Sequence, residues 1–249
     1  MPIFIVRLFL VSAVILVFSQ CGEAQTALET AKKDGVVKKH VARLTEEFTK
    51  KDLHLGNPVF FRIFKEADGY DSGCLELWVK KTGESTYELF KTYTICTFSG
   101  GLGTKNKEGD GKTPEGCYLI TSKRINQYSS YHRAFNIGYP NRYERLKGYT
   151  GSYIMIHGAC CSIGCIAMGD ENIEEIWTIG IKALAGGSNI KLHILPFELN
   201  EETIDSHKNY PDSAFLQELK TAYDYFETHK FPPQVNAVKS GTTVKYTFK

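Results

Sequence analysis

The sequence predicts a mainly β fold with flanking helices. Strand-length apolar runs, Val59 to Phe64, Leu75 to Lys80 and Tyr87 to Phe98, are separated by the turn pairs Asp68-Gly69 and Thr82-Gly83, the pattern of antiparallel hairpins. Helical patterns lie outside this block, at 27–51, Glu171 to Ala185 and Ser213 to Thr228.

At the N-terminus, Arg7 precedes the apolar run Leu8 to Phe18, which is short for a membrane span and reads as a targeting segment. Two cleavage readings stay open. Cys21 after Phe18-Ser19-Gln20 resembles a lipoprotein site, although Gln20 is a poor residue before that cysteine; Gly22-Glu23-Ala24 suits a soluble signal peptidase that releases Gln25. The second is preferred, so residues 1–24 are assigned as a signal peptide; an uncleaved anchor is the least favoured of three readings, and either cut places the chain outside the cytoplasm. About 225 residues remain, enough for one domain with extensions. A formal net charge of +2 is too balanced to imply nucleic-acid binding.

Residues 27–51 carry Val36, Val37, Val41, Leu44 and Phe48 at helical spacing, and Asn57-Pro58 closes this N-terminal segment, 25–57. After the hairpins, residues 99–116 are rich in Gly, Lys and Asp. Gly111-Lys112-Thr113 invites a phosphate-loop reading, but Asn106 stands where the required earlier glycine would be and Pro114 blocks the helix that must follow. This stretch is read as a functional loop leading into a strand at Cys117 to Ser122. Residues 128–149 form an irregular wall of aromatic and polar groups that includes Tyr139, Arg133 and Tyr149. Tyr153-Ile154-Met155-Ile156 is a buried strand. Asp170 is read as the N-cap of the helix from Glu171, Asn189 to Leu195 as a strand closed by Pro196, and 197–249 as a C-terminal helical extension ended by Pro232-Pro233.

The chemistry concentrates in residues 157–168, His-Gly-Ala-Cys-Cys-Ser-Ile-Gly-Cys-Ile-Ala-Met. A strand delivers His157, a small-residue loop follows, and Cys165 arrives behind Gly164. A thiolate nucleophile needs a base, and its oxyanion needs backbone N–H donors at a tight turn. Cys165 is the expected nucleophile and His157 the general base and later acid. Gly164 permits the turn that aims N–H groups at the oxyanion, with the N–H of Cys165 the natural donor. Ser162, Tyr139, Arg133 and Tyr149 are the candidate substrate-binding residues, Ser162 also reading as a brace for the loop.

Seven cysteines are present, at 21, 74, 96, 117, 160, 161 and 165. Cys74, Cys96 and Cys117 lie in apolar runs and read as buried small hydrophobes. A disulfide from Cys160 or Cys161 to another segment fits an exported chain. Adjacent cysteines converge poorly on one tetrahedral metal and no Cys-x-x-Cys pair exists, so neither a metal nor another cofactor is expected.

Lys112-Thr113-Pro114-Glu115-Gly116, the downstream His157-Gly158 and Ser162-Ile163-Gly164-Cys165 resemble the L,D-transpeptidase catalytic domain, also called the YkuD domain, over residues 58–196. Ser99-Gly100-Gly101-Leu102-Gly103, Lys107-Glu108-Gly109-Asp110, Cys165-Ile166-Ala167-Met168 with Asp170, and Tyr223-Asp224-Tyr225-Phe226-Glu227 are similar to its YafK-like branch. The resemblance implies a β-sandwich catalytic domain of the periplasm or cell envelope that attacks peptidoglycan stem peptides at the L-centre of diaminopimelate through a Cys165 thioester, with the Gly158 carbonyl orienting the imidazole. A wall-attached lipoprotein is a further partner it allows; a membrane enters only through a lipid anchor at Cys21. Two departures stand out: seven residues separate His157 from Cys165 where most YkuD domains have about fifteen, and Ala167 stands where most carry Arg. Both bear on the choice between transpeptidation and hydrolysis of cross-links or protein attachments. A non-catalytic wall-binding module is the remaining alternative. A papain-type protease is disfavoured by the order of the two residues, since there cysteine precedes histidine.

Overall fold

The computed structural model describes residues 25–249. The targeting segment and Cys21 lie outside the described residues. Among those described, no helix is long and apolar enough to cross a membrane.

Five strands form the main sheet: β1 (Val59–Phe64), β2 (Cys74–Lys80), β3 (Tyr87–Thr94), β4 (Gly116–Ile120) and, from later in the chain, Ile190–Leu195. Their spatial order runs β3-β2-β1, then Ile190–Leu195, then β4. The pairing of β1 with Ile190–Leu195 is parallel; its other neighbour, β2, is antiparallel. Both faces of β1 are covered, which explains its unbroken apolar text Val-Phe-Phe-Arg-Ile-Phe and complete burial. Its one charge, Arg62, is neutralised inside by Glu76 at 2.7 Å and Glu227 at 2.5 Å.

A second sheet is built from β5 (Ile125–Ser129), β6 (His132–Asn136), β7 (Met155–His157) and β8 (Ile166–Ala167). These strands hydrogen-bond in sequence order. One apolar cluster lies between the two sheets: Phe61, Ile63, Leu75, Leu192 and Ile194 from the first, Phe135, Ile156 and Ile166 from the second. Between β6 and β7 the chain turns through α2 (Arg142–Lys147), which a capping box of Asn141 and Glu144 starts and Gly148, at φ 78°, ends. The expected irregular wall at 128–149 therefore contains strand and helix; its scattered polar residues hide short edge elements with little periodicity.

The N-terminal helical pattern is divided: residues 25–32 are helical and the longer helix α1 (Gly35–Lys50) follows. The pattern read as one helix over 27–51 breaks at residues 33–34, where Asp34 accepts the Val36 N–H and caps a fresh start. α1 lies on α3 (Asp170–Ala185), with Arg43 bonded to Glu175 and His40 to Glu174. Gly169, not Asp170, is the N-cap of α3; Asp170 is its first residue and its carboxylate accepts the Ala159 N–H at 2.7 Å. That bond ties the helix start to the loop after His157. The strand after α3, Ile190–Leu195, is β9.

Residues beyond β9 depart from an all-helical extension. They form α4 (Glu201–Ser206), α5 (Ser213–His229) and an antiparallel hairpin, β10 (Val235–Ser240) with β11 (Thr243–Phe248). A second apolar cluster joins Phe64 and Leu195 of the main sheet to Phe215, Leu219 and Tyr223 of α5 and to Val244 and Tyr246 of β11. The extension thus covers the face of the main sheet that the second sheet does not.

Cys74 and Cys117 are buried thiols, as their apolar settings imply. Cys96 corrects its expectation: it is exposed and forms a disulfide with Cys160, Cα atoms 5.5 Å apart. The apolar run through Cys96 ends as a strand at Thr94, so the cysteine emerges on the surface beside the loop after His157.

Candidate active site

His157 is the last residue of β7, and its parallel neighbour β8 begins immediately after Cys165. The register pairs Ile156 with Ile166 and His157 with Ala167. Side chains alternate along a strand, so alternation carried one residue back from β8 sets Cys165 on the same face as His157. The seven-residue loop between them closes because Met168 N–H bonds the His157 carbonyl at 2.8 Å and Gly169 N–H the Ala159 carbonyl at 2.9 Å. The Cys96–Cys160 disulfide pins its outer edge.

The His157 side chain is 2% exposed. Its Nδ1 lies 2.5 Å from the Gly158 carbonyl oxygen. A carbonyl only accepts, so Nδ1 carries the proton and Nε2 keeps the free lone pair. Tyr131 stacks on the ring at 4.8 Å. Burial holds the imidazole below the ordinary histidine value, opposed in part by the Gly158 bond. Gly158 is confined: an added Cβ would fall 2.6 Å from Asp170 Oδ1 and 2.9 Å from the Tyr131 carbonyl.

Cys165 Sγ lies 3.8 Å from the Tyr153 carbonyl. Burial pushes its thiol above the ordinary cysteine value; the Met155 backbone and the charge of Lys105 act in the other direction, and Cys161 adds to the rise. Both shifts favour the uncharged forms, a thiol and a neutral imidazole.

Three hydroxyls fix the backbone at Cys165. Ser162 Oγ and Thr113 Oγ1 both donate to its carbonyl, at 2.7 and 3.2 Å. Ser99 Oγ donates to the Gly111 carbonyl at 2.7 Å and accepts the Gly164 N–H at 2.6 Å. Gly164 sits at φ 113° with the Lys112 carbonyl 3.2 Å from where a Cβ would be, a conformation and clearance that only glycine meets. The Gly164 N–H is thus consumed inside the turn. The Cys165 N–H has no partner among the described residues and is left for an incoming oxygen.

The loop 99–116 that supplies Ser99 and Thr113 is anchored from below. Lys65, just past β1, places a fully buried ammonium 2.9 Å from Glu115 and also donates to the Gly103 and Thr113 carbonyls at 3.3 and 3.2 Å. Glu115 further accepts the Gly103 N–H at 2.8 Å and the Tyr210 hydroxyl from the C-terminal extension. Higher in the loop, Asp110 accepts Lys105 Nζ and the N–H groups of Asn106, Lys107 and Lys112. Burial alone would raise its pKa; these donors hold the carboxyl far below the usual range.

The structure sets His157 and Gly158 at the end of β7, and Gly164 and Cys165 just before its neighbour β8, with Ser162 as a brace whose hydroxyl turns to the Cys165 carbonyl. Arg133 is elsewhere engaged: its guanidinium forms a two-point bond with Asp34, at 2.6 and 2.8 Å, holding the start of α1. Tyr149 ends α2 by donating its N–H to the Glu144 carbonyl. Tyr139 is buried, its hydroxyl reaching the Lys105 carbonyl at 3.2 Å, with one edge on a cavity beside Tyr153. Ser99 and Thr113 were missed as site residues, although both lie in the Ser99-Gly100-Gly101 and Lys112-Thr113-Pro114 texts already singled out. Tyr131, which stacks on His157, lies in the same 128–149 stretch as Arg133, Tyr139 and Tyr149 and carries no local signal that separates it from them.

Residues 76–181 match the family model of the L,D-transpeptidase catalytic domain, YkuD. YafK of Escherichia coli (strain K12), whose own L,D-transpeptidase activity is a provisional assignment, is 43% identical over 185 residues, 74% of this chain and 72% of that protein. The helical cell shape determining protein Pgp2 of Campylobacter jejuni aligns over 77% of this chain and 85% of its own with a TM-score of 0.43 at 16% identity. Bd1075 of Bdellovibrio bacteriovorus aligns over 78% and 93% with a TM-score of 0.39 at 15% identity.

Proposed function

The chain belongs to the L,D-transpeptidase (YkuD) family, and from that premise we propose that it is an exported cysteine enzyme that performs acyl transfer on peptidoglycan stem peptides. The catalytic unit is residues 58–196. The observation that carries the reading is the pairing on β7 and β8: an imidazole with its free lone pair at Nε2, on the same face as a thiol whose own N–H is unspent.

His157 Nε2 takes the thiol proton as Cys165 Sγ attacks the carbonyl at the L-centre of a diaminopimelate residue. Because burial favours the neutral form of both groups, transfer accompanies attack rather than preceding it. The carbonyl oxygen becomes an oxyanion and accepts the Cys165 N–H. The hydroxyls of Ser162 and Thr113 hold the peptide unit that carries this donor. Collapse breaks the bond to the D-centre amine, which leaves with the proton from His157, and Cys165 holds the acyl group as a thioester. A second amine then yields a cross-link or an attached protein; water yields a shortened peptide. Export is supported by the Cys96–Cys160 disulfide, since such bonds persist in oxidising compartments.

Hydrolysis is the second reading, and one observation favours it. Tyr153 and Ile163, which flank Cys165, are 72% and 88% exposed, so the thioester would form at an open surface where water competes with an amine. Mass spectrometry of defined muropeptides incubated with the wild type and Cys165→Ala separates the outcomes. New dimers or an exchanged terminal residue mark a transpeptidase. Loss of a cross-link or terminal residue with gain of water marks a hydrolase. Turnover retained by Cys165→Ala would overturn the thioester mechanism, and a loss below about tenfold in His157→Ala would remove the proposed base.

A further inference from the structure

Two cavities share one wall. The first, about 450 Å³, lies between the β4 edge of the main sheet and the hairpin β10–β11. The second, about 440 Å³, opens beside Tyr153, whose carbonyl is 3.8 Å from Cys165 Sγ. Arg124, Gly138 and Arg145 line both.

Gly138 is the reason a guanidinium can lie in that wall. It has φ 85°, and an added Cβ would coincide with Arg124, 1.1 Å from Nη1. Buried Arg62 and half-buried Arg133 are matched to carboxylates, Arg62 to Glu76 and Glu227 and Arg133 to Asp34. Arg124 and Arg145 differ. No Asp or Glu lines either cavity, and neither guanidinium has a carboxylate partner among the described residues. The first cavity adds Arg142, bound to the Ala237 carbonyl, and Lys191, bound to the Pro232 and Pro233 carbonyls. Burial, and then repulsion from Arg145, lower the Arg124 pKa. Arg145 also feels the charge of Glu144, its neighbour in sequence, but neither guanidinium is ion-paired, and two like charges that repel are relieved by an anionic guest.

The guest must also suit the thiol. Ala167, two residues past Cys165, is fully buried and uncharged, and Lys105, the cation whose charge reaches the thiol, is already matched to Asp110. A carboxylate on a peptide attached at Cys165 therefore finds unpaired positive charge across the Tyr153 cavity, where planar guanidinium forks fit carboxylate geometry.

We propose that Arg124 and Arg145 form a carboxylate-binding subsite that selects the anionic form of the stem peptide, an inference that rests on the acyl-transfer reading above. The test uses calorimetric binding to the Cys165→Ala protein of a disaccharide peptide with free carboxylates and of its amidated counterpart. The free form binds at least about tenfold more tightly. Arg145→Gln and Arg124→Gln each erase most of that difference, and Arg145→Lys, which keeps the charge, retains part of it. With Cys165 intact, the loss falls on KM rather than kcat, and the KM of the wild type rises with salt more steeply than that of Arg145→Gln. Arg145 is exposed at its helix, so its variant keeps the fold even if Arg124→Gln does not; circular dichroism verifies each. Equal binding of both peptides, or unchanged discrimination in Arg145→Gln, overturns the subsite while turnover by the intact protein leaves the acyl-transfer reading standing. Absence of both binding and turnover overturns that reading and the subsite with it.

Discussion

Lys65→Met tests whether the catalytic turn is held from beneath by a buried charge pair. Lys65 and Glu115 have fully buried side chains 2.9 Å apart. Methionine keeps the length and apolar stem of lysine but removes the ammonium, so Glu115 loses its counterion. Breaking a buried pair from one side costs about 3–5 kcal/mol. Glu115 keeps two donors, the Gly103 N–H and the Tyr210 hydroxyl, which places the expected loss near the lower end, about 3 kcal/mol. For a chain of this size that lowers Tm by about 6–12 °C. The carbonyls of Gly103 and Thr113 lose their donor as well, so the loop that presents the Thr113 hydroxyl to Cys165 loosens and turnover falls by about tenfold at temperatures where the variant is folded. Adding Glu115→Gln removes the stranded charge, and the double variant recovers at least half of the lost stability. Urea unfolding and scanning calorimetry on the two single variants, the double variant and the wild type give the coupling directly. A Lys65→Met loss under about 1 kcal/mol, or a double variant no more stable than the single one, would refute the argument.

The thiol makes a second prediction. Burial raises the Cys165 pKa and lowers that of His157, so alkylation of Cys165 by iodoacetamide rises only at alkaline pH, while kcat/KM rises with pH through a midpoint below the ordinary histidine value, where the neutral base appears. A thiolate plateau in alkylation near pH 6 would indicate a resting ion pair and refute this. Removing the disulfide with Cys96→Ala and Cys160→Ala opens a cross-link spanning 64 residues, worth about 4 kcal/mol by loop entropy; calorimetry with and without reductant reads it, and reductant leaves the variant unchanged. His193 is buried and its Nδ1 has no partner; burial, then Arg62 and Lys191, push its pKa down to about 3. The unfolded state binds that proton first, so the contribution of His193 is intact above about pH 6.5 and is lost as pH falls toward 3. His193→Leu therefore gains on the wild type by about 3 kcal/mol at pH 4; parallel acid-unfolding curves would contradict it. Glu144, raised to about 7 mainly by burial, shifts both proteins equally and drops out of that comparison.

The main sheet was legible because its strands carry their own signal. Val59 to Phe64 is buried on both faces and so reads as an uninterrupted apolar run. The C-terminal hairpin was missed for the opposite reason. Along β10 and β11 few side chains are buried, chiefly Ala237, Val244 and Tyr246, and a hairpin that covers one small patch leaves a mostly polar text. Its signal was nonetheless present: Val244, Tyr246 and Phe248 alternate with polar residues after the Ser240-Gly241 turn. The helix break at Asp34 was visible only as a capping residue inside a continuous amphipathic pattern, and periodicity alone does not register a cap.

The site divides along the same line. His157, Gly158, Gly164 and Cys165 lie within nine residues, so spacing on one strand pair decides their geometry and the sequence exposes it. The parts that set their chemistry come from a distance: Ser99 meets Gly164 across 65 residues and Thr113 meets the Cys165 carbonyl across 52. Serine and threonine are common loop residues, and nothing local distinguishes a hydroxyl that braces the turn at Cys165 from one that faces solvent. Arg133 and Arg124 show the converse. Neither has a local partner in the sequence, and only the fold separates them, because Asp34 reaches one and no carboxylate pairs with the other. For a residue type that always carries its charge, function follows from what the rest of the chain withholds, and that is fixed by tertiary contacts.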